Sequence, residues 1–332
     1  MGGPFLLPAG HIRRALEADV ELALGPARIR RRNEVLIVLY IYPNVREENR
    51  PGRGSLSDRL EQARLLGCAL PEVPAEFIKD KAEAELTGLN LGAFLDEAAV
   101  ARLYSTSDEG IAPGKYILHT EPSLPALDSH GTGPQSRLCW ADKKWVNRFA
   151  EMMLVIAKRV GSAPSVVEIH PGDSTNTFAD IIFGARAIRE RLEKNLGVGP
   201  RVWLKNRAGQ IVQTGEDLAA FWQAVRAERG VFLWLGIAVD ADQLWTATGP
   251  SFSAQLNAIP DEAVRAMHVH RLHRTPAAED EIPWRLVFAR RFVHHGGFAI
   301  NPDVHHRSEI EATIRFCEQQ LSELPAAEAS AP

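Results

Sequence analysis

Ionisable and amide side chains cluster where the short apolar runs of this sequence end. Imidazole, carboxylate and ammonium groups bind divalent metals or transfer protons when they meet in one pocket. A single histidine at the end of an apolar run is more often structural than functional. Three of them with an aspartate, however, suit Zn²⁺, Mn²⁺ or Fe²⁺. The groups at the ends of successive runs are His119, Glu121, Glu168, His170, Lys205, Asn206, Arg207, Asp240, Asp242, His268, His270, Asn301 and Asp303.

These groups meet only if the apolar runs are parallel strands of one sheet. Strand-like runs alternate with helical patterns, which predicts parallel crossovers and, as their natural closure, a (β/α)₈ barrel of the TIM type. An open doubly wound sheet is the alternative, but no glycine-rich nucleotide motif follows the first run. The predicted strands are 35–42, 69–74, 116–119, 165–170, 201–204, 232–239, 264–269 and 298–300, and the predicted helices are 56–66, 97–103, 144–160, 177–195, 217–229, 253–256, 284–293 and 308–321.

The chain divides into an N-terminal segment, one barrel and a short tail. We expect residues 1–32 to be helical and residues 33–322 to form a single (β/α)₈ barrel. Residues 323–332 are rich in Ala, Ser and Pro, which predicts a disordered tail. In a barrel of this kind, catalytic groups gather at the C-terminal ends of the strands.

Composition narrows the partners and the compartment. The 332 residues include 45% hydrophobic and 24% charged residues and carry a formal net charge of −4. This balance is typical of a globular protein and provides no overall basic field for nucleic acid. Three cysteines without a CxxC pair fit a reducing cytoplasm. The sequence shows neither a signal peptide nor a long apolar run, so we expect a cytoplasmic protein that does not enter a membrane.

Several segments resemble motifs of one known family. Leu204-Lys205-Asn206-Arg207-Ala208-Gly209-Gln210 is similar to the strand-five Leu-Glu-Asn-Thr-Ala-Gly-Gln of the endonuclease IV family, which belongs to the xylose isomerase-like TIM barrels. His119-Thr120-Glu121-Pro122, Ile169-His170-Pro171-Gly172, Asp240-Ala241-Asp242-Gln243 and Ala266-Met267-His268 resemble further motifs of that family. The resemblance extends across roughly residues 110–320. It implies a xylose isomerase-like barrel of the AP endonuclease family 2 type.

Carried over to this chain, the resemblance keeps some metal ligands and loses others. Lys205 stands where the family has a bridging Glu, Gln243 where it has a second strand-six ligand, and Asn301 where it has the strand-eight Glu. Three divalent ions need several carboxylates for charge balance, so we do not expect a trinuclear zinc centre. We expect at most one divalent ion, Zn, Mn or Fe. The family ligands that remain are His119, His170, Asp240 and His268.

Three interpretations of this altered site remain open. In the first, one metal is held by members of the remaining ligand set, while Lys205 contacts the substrate or acts as a general base with a depressed pKa. In the second, Lys205 supplies the charge of the missing metal and pairs with Asp240 in a metal-free site. In the third, the barrel has lost catalysis and binds a ligand or a protein partner.

The leading functional prediction is a metal-dependent hydrolase or lyase that acts on a small phosphorylated or sugar-containing substrate, or on nucleic acid. The alternatives are a sugar isomerase or epimerase, and a non-catalytic barrel that serves as a binding or scaffold subunit. We assign catalysis to Lys205 and Asp240. Substrate contacts are predicted for Arg207, Gln210, Trp245 and Asn301, of which Trp245 could stack on a base or sugar.

Overall fold

Eight parallel strands form a closed barrel, and one additional strand precedes it. The structure is a computed structural model that describes residues 27–31, 34–49, 54–75, 101–105, 111, 114–121, 138–290 and 298–324. The strands are β1 (Ala27–Arg31), β2 (Glu34–Tyr42), β3 (Leu70–Pro74), β4 (Ile117–His119), β5 (Val166–Ile169), β6 (Arg201–Lys205), β7 (Leu235–Asp240), β8 (Val264–His268) and β9 (Ala299–Asn301).

Strand pairing closes the barrel between β2 and β9. Each strand from β2 to β9 runs parallel to its neighbours, and Leu39 pairs with Ala299 while Tyr40 pairs with Ile300. β1 instead runs antiparallel to β2. The closed ring confirms the predicted (β/α)₈ barrel and excludes the open doubly wound sheet. It also brings the C-terminal ends of all eight barrel strands to one face.

Helices cover the outside of the barrel, and several begin with a side-chain cap. Ser55, Thr177 and Thr214 each form a capping box with an aspartate three residues later. Within the described part of the chain, no helix is both long and apolar enough to cross a bilayer. The helices are α1 (Leu56–Leu65), α2 (Lys143–Val160), α3 (Phe178–Leu196), α4 (Gly215–Ala227), α5 (Ala241–Thr248), α6 (Phe252–Ala258), α7 (Trp284–Ala289) and α8 (Ile310–Ser322), and short 3-10 turns span Arg46–Asn49, Val231–Leu233, Gly249–Ser251, Asp261–Ala263 and Arg307–Glu309.

Alternate residues of the barrel strands face the helices and the barrel axis. Val167, Leu204 and Ile237 belong to the large core that includes the helices. A separate, smaller apolar cluster fills the barrel interior, as the two-residue period of a strand requires. We call this cluster the lower layer. It consists of Ile41, Ile117, Val166, Trp203, Ala238, Ala266 and Ala299, with Leu39 and Leu70 packed against it.

Two parts of the chain differ from the sequence prediction. The segment 1–32, predicted to be helical, contains strand β1 at residues 27–31, because backbone pairing with β2 outweighs its local helical pattern. A helix that the sequence did not predict, α5, follows β7 directly. It begins there because Asp240 Oδ1 accepts a hydrogen bond from the backbone N–H of Gln243 at 2.9 Å. Residues 1–26 and 32, residues 97–100 of a predicted helix and residues 325–332 of the predicted tail lie outside the described residues.

Candidate functional site

A ring of buried polar side chains lies next to the lower layer, two residues further along the strands toward the C-terminal face of the barrel. In seven strands, the residue two positions after an apolar interior residue is ionisable or an amide, so both point into the barrel. We call these seven polar side chains the charged ring. The pairs of lower and upper residues are Leu70 and Glu72, Ile117 and His119, Val166 and Glu168, Trp203 and Lys205, Ala238 and Asp240, Ala266 and His268, and Ala299 and Asn301.

Lys205 lies at the centre of the charged ring. Its Nζ is 3.0 Å from Asp303 Oδ2, 3.2 Å from His268 Nδ1, 3.5 Å from Glu168 Oε1 and 3.9 Å from Asp240 Oδ2. Burial by itself lowers the pKa of Lys205, but the charges of Asp303, Glu168 and Asp240 outweigh burial and raise this pKa well above its usual value. Lys205 is therefore an ammonium at neutral pH. This direction is opposite to the depressed pKa predicted for a Lys205 general base.

His268 connects two carboxylates of different strands. Its Nδ1 is 3.0 Å from Asp303 Oδ2, and its Nε2 is 2.9 Å from Glu168 Oε2. Burial lowers the pKa of His268, but the charge of Glu168 and the hydrogen bonds to both carboxylates raise it to a net value of about 9. The ring is therefore an imidazolium at pH 7, and it donates from both nitrogens.

His119 forms a second connection of the same kind. Its Nδ1 lies 3.3 Å from Glu72 Oε1 and 3.2 Å from Glu168 Oε1. Burial lowers the pKa of His119, whereas the charge of Glu72 and the contacts with both carboxylates raise it well above its usual value. The other oxygen of Glu72 accepts a hydrogen bond from the backbone N–H of Asn44 at 2.8 Å. The protonated ring of His119 thus bridges Glu72 and Glu168.

Asp240 combines a structural role with an electrostatic one. Besides capping α5, it lies with Oδ2 3.3 Å from His270 Nε2. Because His270 Nδ1 accepts the backbone N–H of His273 at 3.0 Å, the ring proton of His270 is on Nε2, facing Asp240. Burial raises the pKa of Asp240, but the contact with His270 and the charge of Lys205 hold it well below its usual value. Asn206 aligns the strand end by hydrogen bonds to both backbone groups of Asp240, at 2.7 and 3.1 Å.

His170 differs from the other histidines of the site. It is 1% exposed, and neither ring nitrogen has a hydrogen-bond partner among the described residues. Burial and the charges of Lys205 and His119 hold its pKa well below the usual value, so the ring is neutral at pH 7. Its edge packs against the ring of His119, with centroids 6.2 Å apart. A neutral imidazole with both nitrogens available can take a proton from a bound molecule or give one to it.

A pocket opens over His170 and Lys205 at the C-terminal face of the barrel. Its volume is about 340 Å³, which includes space open to solvent. Basic and histidine side chains outnumber carboxylates in its lining, which favours an anionic ligand. Arg46 pairs with Glu121 at 3.6 Å. The residues around the pocket are Asn44, Arg46, His119, Glu121, His170, Lys205, Arg207, His273, Asp303 and His305.

Three imidazoles stack beside the pocket mouth, and two of them, His273 and His305, line the pocket. The ring centroids of His270 and His273 are 4.3 Å apart, those of His273 and His305 are 4.0 Å apart, and the planes are within 12°. His273 and Leu272 have positive φ values of 57° and 52° in a tight turn that holds this arrangement. Burial lowers the pKa of His273 but Asp303 raises it above the usual value, while burial and the charge of His273 lower the pKa of His305 to about 3.

Of the four predicted substrate-binding residues, one lines the pocket and three do not. Arg207 lines the pocket. Asn301 is fully buried in the charged ring, and its two amide atoms have no partner among the described residues. In contrast, Gln210 Oε1 accepts a backbone N–H at 3.0 Å, and Trp245 packs against Phe252 with centroids 5.7 Å apart. Neither Gln210 nor Trp245 belongs to the pocket lining, so their substrate contacts remain predictions.

Three groups of potential metal ligands lie among the described residues. Each group offers three ligand atoms within 4.8 Å of one another. Of the predicted ligands, Asp240 and His268 join Asp303 in one group, whereas His119 and His170 belong to none of the three. The groups are Glu72, Glu168 and His268; Asp240, His268 and Asp303; and His270, His273 and Asp303.

A divalent ion does not fit the group of Asp240, His268 and Asp303 while Lys205 keeps its place. The Nζ of Lys205 already lies within 3.9 Å of an atom of each member. A dication about 4 Å from this ammonium would be repelled by about 8 kcal/mol at an effective dielectric constant near 20. The side chains of this group are of types that bind metals, but the Lys205 ammonium lies between them.

The sequence prediction left several residues of this site out. Glu168 lies two positions before His170, and Asp303 two positions after Asn301, so the two-residue period of the strands was the available signal. Glu72 lies in a proline-flanked run that gives no such signal. The residues to which the prediction assigned no role are Glu72, Glu168, His270, His273 and Asp303, of which Glu168, His270 and Asp303 were among the polar groups at the ends of the runs.

Comparison with known proteins identifies the fold. No protein-family model matches the chain, and no curated protein is detectably similar to it in sequence. Among solved structures, D-psicose 3-epimerase from Clostridium cellulolyticum H10, in a structure with D-tagatose, gives a TM-score of 0.51 at 12% identity, covering 86% of this chain and 100% of that chain. D-Allulose 3-epimerase from Methylomonas sp. gives 0.52 at 13% identity, covering 86% and 98%.

A nuclease of the same fold is equally similar. AP endonuclease, family 2, from Brucella melitensis gives a TM-score of 0.52 at 10% identity and covers 84% of this chain and 98% of that chain. The fold that this chain shares with these proteins is a closed (β/α)₈ barrel of the TIM type. This confirms the fold that the motifs predict. Identities this low establish the fold alone and leave the activity to the residues of the site.

Proposed function

We propose that this protein is an enzyme that moves protons within a small, anionic, sugar-like molecule, as a sugar isomerase or epimerase does. The observation that carries the proposal is His170, a buried neutral imidazole at the pocket whose two nitrogens lack partners among the described residues. Burying a polar group without a partner costs about 1–3 kcal/mol. Such a group in a pocket is typical of one that a ligand completes.

In the proposed reaction, His170 takes a proton from the carbon next to a carbonyl group and returns it to the former carbonyl carbon, while the hydroxyl proton of the first carbon moves to the former carbonyl oxygen. Inversion at a single carbon instead requires a second group that delivers a proton to the opposite face. The electron pair of the broken C–H bond moves onto the carbonyl oxygen, which becomes an enolate. Lys205, which lines the same pocket, stays protonated and stabilises that negative oxygen. Asp240, also predicted to be catalytic, does not line the pocket, and we propose that it positions Lys205 and His270.

The pocket supports a small anionic substrate. The pocket is small, about 340 Å³ including space open to solvent, and its lining is polar and mostly basic. Arg46 and Arg207 line it, and guanidinium groups match carboxylate and phosphate oxygens. The net charge of −4 provides no overall basic field for a nucleic-acid strand. The fold shared with two sugar epimerases agrees with this choice by analogy.

A metal-dependent hydrolase or lyase is the second candidate. The three groups of potential metal ligands favour it, as does the fold shared with an AP endonuclease. We place it second because Lys205 stands between the members of one ligand group, and because His170 and His119 belong to none. A non-catalytic barrel would bind a ligand or a protein partner without any proton exchange.

Deuterium exchange tests the proposal whatever product the enzyme forms. The protein is incubated in D₂O with neutral, phosphorylated and carboxylated aldoses and ketoses, and proton NMR follows the C–H next to the carbonyl. We expect exchange for an anionic sugar and little for its neutral counterpart. His170→Asn should slow exchange at least about 100-fold, since general acid–base groups contribute about 10²–10⁴. Gln319→Ala, on the outer helix α8, is the control and should exchange at the wild-type rate.

Arg207→Gln tests the substrate class separately. Loss of one charge-assisted contact should raise KM about tenfold for the anionic sugar, with kcat nearly unchanged. Binding of these sugars without exchange would support the non-catalytic barrel instead. Release of phosphate or cleavage of abasic-site DNA, with no C–H exchange, would support the hydrolase.

A further inference from the structure

Four groups from different strands converge on the single ammonium of Lys205. Glu168 belongs to β5, Asp240 to β7 and His268 to β8, and Asp303 follows β9. Their nearest atoms are 3.0–3.9 Å from Nζ. Three carboxylates and one imidazole nitrogen are ligand types that Zn²⁺ and Mn²⁺ accept. Since His268 is itself an imidazolium that donates to Asp303 and Glu168, the groups that Lys205 balances are the three carboxylates around it.

The position of Nζ coincides with the place that these groups would offer to a metal. Asp240, His268 and Asp303 form one of the ligand groups, and Glu168 and His268 belong to another. Lys205 is 3% exposed, and its side chain is tethered to β6. If it moved away, Glu168, Asp240 and Asp303 would face one another without the cation between them.

We infer that the ammonium of Lys205 takes the place of a divalent ion at the centre of the charged ring, so that the ring is complete without a metal. The inference rests on the position and charge of one side chain. It does not depend on the proposed sugar chemistry, because it concerns which cation the ring holds and not which molecule enters the pocket.

The opposite charge at position 205 provides the test. Wild-type protein and Lys205→Glu, both treated with EDTA and dialysed, are titrated with MnCl₂ and with ZnCl₂ in a calorimeter at pH 7. We expect the wild-type ring to bind neither ion with a Kd below about 100 μM, and Lys205→Glu to bind one equivalent at least about 100-fold more tightly. Adding Asp303→Asn to Lys205→Glu should remove most of that gain.

Two results would overturn the inference. The first is tight binding of one equivalent of metal to the wild-type protein that His268→Gln abolishes. The second is a Lys205→Glu protein that is folded, judged by circular dichroism, but shows no gain in metal affinity. Metal binding that only His273→Asn abolishes would lie at the imidazole stack, and the charged ring would still be metal-free.

A neutral variant covers the case in which Lys205→Glu does not fold. Lys205→Gln removes the cation without adding a carboxylate, and it should bind Mn²⁺ at least about tenfold more tightly than wild type. An unchanged affinity would contradict the inference. Since the readout is the heat of metal binding, failure here leaves the deuterium-exchange result on His170 unaffected.

Discussion

The lower layer and the charged ring occupy the same barrel and come from the same strands, yet different forces hold them. In the lower layer, Ile117, Val166 and Trp203 fill the axis through apolar contact. Two residues later in the same strands, His119, Glu168 and Lys205 meet through short contacts between charged groups. The two layers are equally buried, so burial alone does not distinguish them.

The difference concerns how much change each layer tolerates. An apolar layer needs the right volume, and many combinations of side chains provide it. A charged layer needs a partner for every charge, because removing one partner leaves the other buried and unpaired. Substitutions of similar size should therefore be mild in the lower layer and severe in the charged ring.

The largest effect is expected from Lys205→Met. The substitution keeps most of the side-chain volume but leaves the carboxylates of Glu168, Asp240 and Asp303 without their shared cation. The free energy of unfolding at pH 7 should fall by about 3–5 kcal/mol, measured by chemical denaturation. Lys194→Met, on the exposed face of α3, should change it by less than about 0.5 kcal/mol. Similar losses for the two variants would remove the contrast between the layers.

The second effect is a pH dependence that only the charged ring should show. The pKa of His268 is raised to about 9, so the stability it adds is complete below its unfolded-state pKa near 6.5 and disappears as pH rises through 9. The stability gap between wild type and His268→Asn should narrow by about 3 kcal/mol from pH 6 to pH 10, at about 1.4 kcal/mol per pKa unit. Denaturation series at both pH values measure it, and a constant gap would contradict the assigned protonation.

A smaller effect is expected from Glu72→Gln. The amide oxygen can still accept the hydrogen bond from the N–H of Asn44, but the negative charge beside His119 is lost. Stability at pH 6 should fall by about 1.5–2.5 kcal/mol, as for a hydrogen bond to a charged group. NMR titration should show a lower pKa for His119 than in wild type, and an unshifted titration would argue against this ion pair.

The smallest effect is expected in the lower layer. Ile117→Val removes one buried methylene group and should cost about 0.5–1.5 kcal/mol. The cost should be the same at pH 6 and pH 10, because no charge is involved. A cost above about 3 kcal/mol in the denaturation assay, or one that varies with pH, would show that the two layers are coupled.

The fold could be predicted from the sequence because the patterns that determine its strands and helices are local. Apolar runs, helical periods and caps such as Thr177 each act within a few residues, and the predicted strands lie close to the observed ones. Two elements, β1 and α5, were not predicted, because one depends on pairing with the next strand and the other on a residue with two roles. β1 exists because β2 pairs with it, and α5 was missed because Asp240 was interpreted as a ligand when it is also a helix cap.

The candidate site was harder to predict from the sequence, because it depends on which residues of different strands lie in the same layer of the barrel. The prediction gave roles to strand-end residues such as His119 and His268 but assigned none to Glu72 or Glu168. The sequence left the direction of the Lys205 pKa shift open, since that direction depends on Asp303, which lies 98 positions away in sequence. Only the closed barrel brings those two residues within hydrogen-bonding distance.

The turn at Leu272 and His273 has a consequence for attempts to stabilise the protein. Two consecutive residues adopt left-handed conformations that glycine would adopt freely, and each costs about 1–2 kcal/mol with a side chain present. A search for thermostable variants would therefore select glycine at these positions. At 272 that replacement removes an exposed leucine, but at 273 it removes the middle imidazole of the stack. Thermal selection therefore acts against the pocket lining at 273 but not at 272.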